Sequence, residues 1–463
     1  MNRTLKDPAR RAAPHFGGLG ALAFTLASCL AGGAYAQSPL TLSAAIAEVR
    51  KNSDETRLIT ETNVKLDAQK RELWAGALPS VSAYANAGRG HSIINLGSFP
   101  IQDTTAPPGS IPPVYGATQN VFSYGIQATQ PIYSFGRLGQ AFSVANTQIR
   151  SQEATNRRAE QQLELQTLDA YYAVVITEAR LKVIAASVER QSKTVGFLES
   201  NFKRGAGARS TLLLTSASLK GLEPERIRAE RDADAARMSL NRLLGRPESS
   251  PLTLDTTVLA DEKAPAAPGN VDQVVDNRPD IQALSLQKET TKGLATAYRM
   301  QYLPALGLSG KVGIMAFELD KQLTDFNNNL EWQIGVGLTW PLFDGLANSS
   351  KARQYDSDAR TLAINERRAR AYARIEIESA QREAEAADTA LSAAQQARDA
   401  SAEALELISQ DFRAGAGNVT DLLSAEEGLR GAESGLLAAR YQKARAKAAL
   451  RVALGMNLTE GDK

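Results

Sequence analysis

The sequence has 463 residues, 43% hydrophobic, 22% charged and only 6% aromatic. That length leaves room for two or three ordinary domains, but long tracts of Ala, Leu, Glu, Arg and Gln mark extended helices and argue against stacked globular units. The formal net charge of +2 becomes −1, 49 basic against 50 acidic residues, once the first 36 residues are set aside; that balance gives no support for nucleic-acid binding.

Residues 1–36 read as a secretory signal. Arg3, Lys6, Arg10 and Arg11 supply the positive region, residues 19–30 the apolar core, and Ala34-Tyr35-Ala36 a small-residue cleavage site before Gln37. A second cut stays open, because Leu26-Ala27-Ser28-Cys29 resembles a bacterial lipobox that would leave a lipidated Cys29 at the new N-terminus. Cleavage after Ala36 is favoured, since the apolar run continues past Cys29. The mature chain then has no cysteine and a single histidine, His91, which fits an exported protein without a disulfide framework.

Thr41 or Ser43 is the expected cap of a helix running to about residue 77, stopped by Leu78-Pro79. Residues 80–88 then alternate, with Val81, Ala83, Ala85 and Ala87 on one face and Ser82, Tyr84 and Asn86 on the other, the period of a strand. Residues 89–120, rich in Pro, Gly, Ser and Thr, read as a long loop. Alternation returns over 121–131, with Phe122, Tyr124, Ile126 and Ala128 opposite Ser123, Gly125, Gln127 and Thr129, and Pro131 closes it. From about 140 to 202 there is no proline and one glycine, which predicts a helix of about 95 Å. Gly205-Ala206-Gly207 breaks it, and a second helix returns from about 210 to 244. Pro224 is expected to kink or interrupt that return helix, at about 3 kcal/mol for an interior proline.

The whole pattern then repeats. Pro131 and Pro341, Phe202 and Phe412, Gly205 and Gly415, Leu244 and Leu454 are all 210 residues apart, and from Phe202 to Gly245 14 of 44 positions are identical. Only near its start does the repeat slip by one, where Tyr133-Ser134-Phe135-Gly136 faces Phe343-Asp344-Gly345. An internal repeat fixes architecture before any motif is read. The domains expected are a signal (1–36), a first repeat (37–245), a proline-bearing linker (246–277), a second repeat (278–455) and a tail (456–463). The second repeat carries a strand pair at about 305–316 and 331–341 and a hairpin over 346–455 broken at Gly415-Ala416-Gly417. Its long helix has a seam, Ala373, Ile377, Ala380, Ala384, Ala387, Leu391 and Ala394, at alternating steps of four and three.

After the signal no apolar run reaches the 18 residues that a membrane helix needs. The four alternating segments do have the length of membrane strands, with Phe122, Trp332 and Trp340 near their ends. Four strands cannot close a barrel, and an open sheet edge in lipid leaves backbone groups unpaired. Membrane strands would therefore require several chains to share one barrel, and three copies give twelve strands and a ring of twelve helices. Two other readings stay open: a small soluble sheet capping a helical bundle, and a periplasmic coiled-coil adaptor or scaffold without a pore.

The chain resembles the TolC family of bacterial outer-membrane efflux and secretion channels along essentially all of its mature length. The resemblance rests on Leu40-Thr41-Leu42-Ser43-Ala44-Ala45-Ile46, on Asn277-Arg278-Pro279-Asp280-Ile281, on the Leu-Pro stops before each strand pair, and on Gln130-Pro131-Ile132-Tyr133 and Trp340-Pro341-Leu342-Phe343 before each long helix. It implies a homotrimer, with a twelve-stranded β-barrel in outer-membrane lipid continuous with a twelve-helix periplasmic tunnel. The linker and chain ends would form a belt around the tunnel's middle. The implied partners are a periplasmic membrane-fusion adaptor and an inner-membrane pump of RND, ABC or MFS type, with no cofactor. Gly205-Ala206-Gly207 and Gly415-Ala416-Gly417 would be the periplasmic tips, where the pore closes and the adaptor docks. Asp421 matches a family position whose carboxylates line the closed aperture, whereas Ser424 and Thr211 stand where the best-known pattern has acids. No catalytic constellation is visible, and Gly205-Ala206-Gly207 follows a helix, not the strand that a nucleotide loop follows.

Overall fold

The structure, a computed structural model, describes residues 39–94, 115–255, 269–316 and 329–458. The signal region with Cys29, the middle of the first strand-to-strand loop, the middle of the linker (256–268), the polar loop 317–328 and the last residues of the tail lie outside the described residues.

The chain opens with α1 (Leu42–Asn52) and α2 (Asp54–Ala75). One helix was expected here, and Ser53 divides it. Its backbone is extended, its hydroxyl accepts from the Thr56 amide at 3.1 Å, and the Thr56 hydroxyl donates back to the Val49 carbonyl at 3.0 Å. A serine that satisfies the first amides of a new helix competes with continuation of the old one. Thr41 caps α1, accepting from the Ala44 amide.

Strands β1 (Ser80–Ile94) and β2 (Tyr115–Tyr133) follow, then the hairpin of α3 (Arg137–Lys203) and α4 (Arg209–Leu243). The second half repeats this with α5 (Val271–Asn277), α6 (Pro279–Arg299), β3 (Ala305–Ala316), β4 (Leu330–Thr339), α7 (Ala347–Arg413) and α8 (Val419–Ala453). Both long helices have 67 residues, about 100 Å at 1.5 Å per residue.

Three expectations are corrected. The first strand pair extends beyond the alternating segments, pairing Arg89 with Asn120 and Ile94 with Tyr115; ladder hydrogen bonds use only backbone, so they continue where side-chain alternation has ended. Pro131 does not close β2, which runs on to Tyr133 through an irregularity between Pro131 and Tyr133, a place where a missing amide donor is tolerated. Helix α4 passes through Pro224 without interruption and packs along α3, the kind of tertiary contact that overrides a local helix breaker.

The slip between the repeats is also absent from the backbone. Phe135 and Gly136 both have positive φ, at 51° and 87°, and so do Gly345 and Leu346, each at 68°. The same two-residue left-handed step precedes each long helix, 210 residues apart, with the glycine moved from its second place to its first.

The core is a chain of helix–helix seams. Midway along the bundle Ala45, Ile46 and Val49 of α1 pack against Leu163, Tyr171 and Val174 of α3 and Leu240 of α4. The small-residue seam of α7 is buried from Ala373 to Ala387 against Val275, Ile281, Ala446 and Leu450 of the same chain. Leu40 forms a parallel bridge with Leu254, and the Tyr171 hydroxyl lies 2.8 Å from the Leu40 and Asp255 carbonyl oxygens. Burial, with the Asp255 charge nearby, pushes that phenol up to about 12.

Candidate functional site

The four strands form one antiparallel sheet in the order β1-β2-β3-β4. Its register places Ala83 opposite Ile126, Ile126 opposite Val312, and Val312 opposite Trp332, so the apolar residues of all four strands share one face. That face is not covered by the helices: Val81 is 68% exposed, Trp332 70% and Ile334 68%, with Ile126, Val312, Val336 and Leu338 also open. A soluble capping sheet would bury such a surface. Strands β1 and β4 are the sheet's two edges, and among the described residues no further strand pairs with their outer sides.

The opposite face carries Ser82, Tyr84, Gln127, Lys311, Gln333 and several glycines, among them Gly125, Gly313, Gly335 and Gly337, and Lys311 pairs with Glu331 at 2.7 Å. Gly125 and Gly313 sit opposite each other in β2 and β3, at a close approach of the two backbones. A Cβ on Gly125 would lie 2.3 Å from the Val312 carbonyl oxygen, and one on Gly313 would lie 2.3 Å from that of Tyr124 and 2.7 Å from the Tyr84 hydroxyl. Side chains are excluded from this approach. Both residues lie in strands whose alternation was legible, but nothing within either strand shows that two glycines would meet.

At the other end of the hairpins, some 100 Å of helix away, are the two glycine turns. Gly205 and Gly415 take left-handed φ of 78° and 80°, which glycine adopts without strain. The Ala206 amide donates to the Asn201 carbonyl at 2.9 Å, and the Ala416 and Gly417 amides donate to that of Asp411 at 3.0 and 3.1 Å. The turns differ at their last residue. A Cβ on Gly417 would meet the Phe412 nitrogen at 2.8 Å, whereas one on Gly207 would meet the Phe202 nitrogen at an ordinary 3.5 Å. Gly205, Ala206, Gly207, Gly415 and Ala416 are exposed. Asn418 caps α8, Asp421 lies exposed in its first turn, and Ser424 is exposed one turn on. Thr211 is half-buried, its carbonyl accepting from the Thr215 hydroxyl at 2.9 Å.

Helices α3 and α8 join the two hairpins side by side. Near the tips they part around a cleft of about 530 Å³ lined by Arg190, Phe197, Leu405, Phe412, Leu422 and Glu426, among others. Glu426 is only 4% exposed and faces Arg190 at 3.5 Å. Burial raises its carboxyl above the usual range, outweighing the pull of Arg190 and Arg430. Sequence reading missed this group, because one glutamate in a charged helix carries no local mark of burial.

A second unanticipated node is Arg278, quoted above only as part of a motif. It is 1% exposed; its guanidinium donates to Asp280 at 3.1 and 2.8 Å, to Glu376 at 2.7 Å and to the Ala453 carbonyl at 2.8 Å. One side chain thus ties the start of α6 to the middle of α7 and the end of α8.

Among the described residues no helix is long and apolar enough to cross a membrane. The profile of the Outer membrane efflux protein family matches residues 65–246 and 270–456. The chain belongs to that family. It is 23% identical over 354 residues to Nodulation protein T of Rhizobium leguminosarum bv. viciae, an alignment spanning 73% of this chain and 70% of that one. It is 24% identical over 322 residues to the alkaline protease secretion protein AprF of Pseudomonas aeruginosa, spanning 66% and 64%. Its fold is similar to that of the solved channel CusC, with a TM-score of 0.74 at 18% identity over 90% of this chain and 92% of that one. The open state of the MtrE channel of Neisseria gonorrhoeae gives 0.72 at 23% identity, covering 91% and 90%. The outer membrane protein VceC of Vibrio cholerae gives 0.70 at 19%, covering 90% and 96%. This efflux protein is therefore an outer-membrane channel and not an enzyme. Its family works with adaptors and inner-membrane pumps in tripartite systems. The reading as a scaffold without a pore has no support.

Proposed function

We propose that this efflux protein is a passive exit duct made of three copies, which share one twelve-stranded barrel in outer-membrane lipid and one twelve-helix tunnel below it. The observation that carries the reading is the four-stranded sheet with two open edges and an outward apolar face. Edges of that kind are costly in lipid unless another chain pairs with them, and the pairing of β4 with β1 of the next copy removes every edge at once. The glycine-rich polar face then lines the lumen.

At the periplasmic end, the exposed turns Gly205-Ala206-Gly207 and Gly415-Ala416-Gly417 are the docking points for a membrane-fusion adaptor. Three copies of Asp421 form an acidic ring that favours cations. Ser424 and Thr211 add no charge beside it, so the aperture is held with one carboxylate per chain at these three positions. Residues 246–277 and the chain ends form the belt around the tunnel, and an inner-membrane pump of RND, ABC or MFS type supplies the energy. The signal is removed on export, either after Ala36 or ahead of a lipidated Cys29; the mass of the mature N-terminal peptide distinguishes these.

The test is cell fractionation followed by electrophoresis of the detergent extract with and without heating, then single-channel recording. The expected result is outer-membrane recovery, a trimer-sized band lost on heating, and cation preference that falls in Asp421→Asn. A water-soluble monomer would overturn the duct. Unchanged selectivity in Asp421→Asn would overturn the acidic ring alone.

A further inference from the structure

Below the sheet the helices stand side by side in the order α2, α3, α6, α7. Among the described residues, the outer sides of α2 and α7 have no neighbour. The internal repeat tells what fits them. Positions in the long helices correspond across 210 residues, as Pro131 does to Pro341; those in the helices before the sheet correspond across 225, as Pro79 does to Pro304. The correspondence holds in space. Lys288 meets Glu366 at 2.5 Å across α6 and α7, and their counterparts Asn63 and Asn156 share a 2.7 Å hydrogen bond across α2 and α3. Tyr298 stacks on Tyr355 at 5.3 Å, and their counterparts Leu73 and Ala145 line one cavity.

In a closed ring of such repeats, the joint between α3 and α6 must recur between α7 of one copy and α2 of the next. Within the chain, Gln140 donates to the Gly293 carbonyl at 3.0 Å and Ser151 to that of Ala283 at 2.9 Å. Val144 packs on Gly293, with its Cβ 3.8 Å from where a Cβ on that glycine would sit. Arg150, Arg157 and Leu286 line the cleft beside them. Shifted by the repeat, these pairs become Ser350 with Ala68, Thr361 with Leu58, and Gln354 with Ala68, while Arg360 and Arg367 come to face Glu61 and its neighbours.

We propose, on the trimer reading above, that α7 of one copy packs antiparallel on α2 of the next through matched rows of charge. Arg353, Arg360 and Arg367 recur every seven residues and so form one stripe down α7. The shifted register sets Arg353 beside Asp67, Arg360 beside Glu61 and Arg367 beside Asp54. All six are exposed, and among the described residues their only ion pair is Asp54 with Arg57 at 3.2 Å. That contact also holds Arg57, the one like charge that the register brings to Arg367. Leu58, 69% exposed, and Ile364, 49% exposed, provide the apolar contact along the same seam. Charge rows of this kind fix register and reject wrong partners.

The test uses cysteine pairs. The 3.8 Å spacing at Val144 and Gly293 is within disulfide range, so Ala68→Cys/Gln354→Cys should link copies into a covalent trimer on a non-reducing gel. Neither single variant should do so, and Val144→Cys/Gly293→Cys should close within one chain. Arg353→Glu/Arg360→Glu/Arg367→Glu should lose the heat-sensitive trimer band, and adding Asp54→Arg/Glu61→Arg/Asp67→Arg should restore it. A trimer that forms but does not cross-link, or charge reversal without loss or without rescue, overturns the seam and leaves the duct standing. Absence of any trimer in the unaltered protein overturns the duct reading beneath it.

Discussion

Replacing Arg278 with methionine keeps the buried hydrocarbon stem and removes the charge and every donor. The Ala453 carbonyl then loses its partner at the end of α8, and Asp280 and Glu376 lose the cation between them. Breaking a buried ion pair from one side costs about 3–5 kcal/mol. The Asp280 and Glu376 side chains are 33% and 45% exposed, so water takes up part of the loss and the lower end, about 3 kcal/mol, is expected. The loss should appear as a lower guanidinium midpoint for the detergent-solubilised protein, followed by helical circular dichroism, with unchanged slope. The double variant Arg278→Met/Asp280→Leu should recover much of it, because no carboxylate is then stranded beside the apolar replacement. There is also a pH signature. Burial alone would push the Asp280 carboxyl up, but the hydrogen bonds and charge of Arg278, with Arg158 nearby, hold it below its ordinary value. A depressed carboxyl contributes stability that is full above its unfolded value, near 4, and is lost as pH falls through the folded one. Arg278→Met should therefore flatten the acid limb of the stability curve. A loss under about 1 kcal/mol, or a double variant no better than the single, would refute the assignment of Arg278 as the tie between α6, α7 and α8.

Other perturbations follow from the same geometry. Gly417→Ala should loosen the second tip by about 1–3 kcal/mol through overpacking, while Gly207→Ala should be within about 0.5 kcal/mol of neutral; amide exchange at residues 411–418 and 201–208 measures both. Glu426 is held above its ordinary carboxyl range by burial, so folding favours its protonated form and the stability it removes grows as pH rises from about 4.5 through the folded value. Glu426→Gln should flatten that dependence, read as proteolytic resistance of the α3–α8 joint as pH is raised above about 4.5. Gly313→Val should abolish assembly of the sheet, because its side chain would occupy the space of the Tyr124 carbonyl and the Tyr84 hydroxyl; the readout is loss of the heat-sensitive band. Ile334→Arg, central in β4 on the apolar face, should cost about 2–4 kcal/mol, whereas Gln333→Arg on the polar face should be tolerated, both measured by urea unfolding in lipid vesicles.

What the sequence determined by itself was whatever depends on short-range order. Alternation in residues 80–88 and 121–131 placed the apolar residues of each strand on one face, because side chains on a strand alternate by geometry. The glycine turns at Gly205 and Gly415 and the seam from Ala373 to Ala387 were likewise readable from spacing, and the 210-residue repeat made one half a check on the other. Only the tertiary structure decided what depends on partners distant in the chain. Ser53 ends one helix and starts another through contacts with Val49 and Thr56 that compete with a continuous pattern. Arg278 waits on Glu376 and Ala453, Glu426 is buried because α3 lies across it, and Gly125 matters because Gly313 arrives opposite. Periodicity reports which side of an element is apolar; which atoms meet there is fixed only when the elements pack.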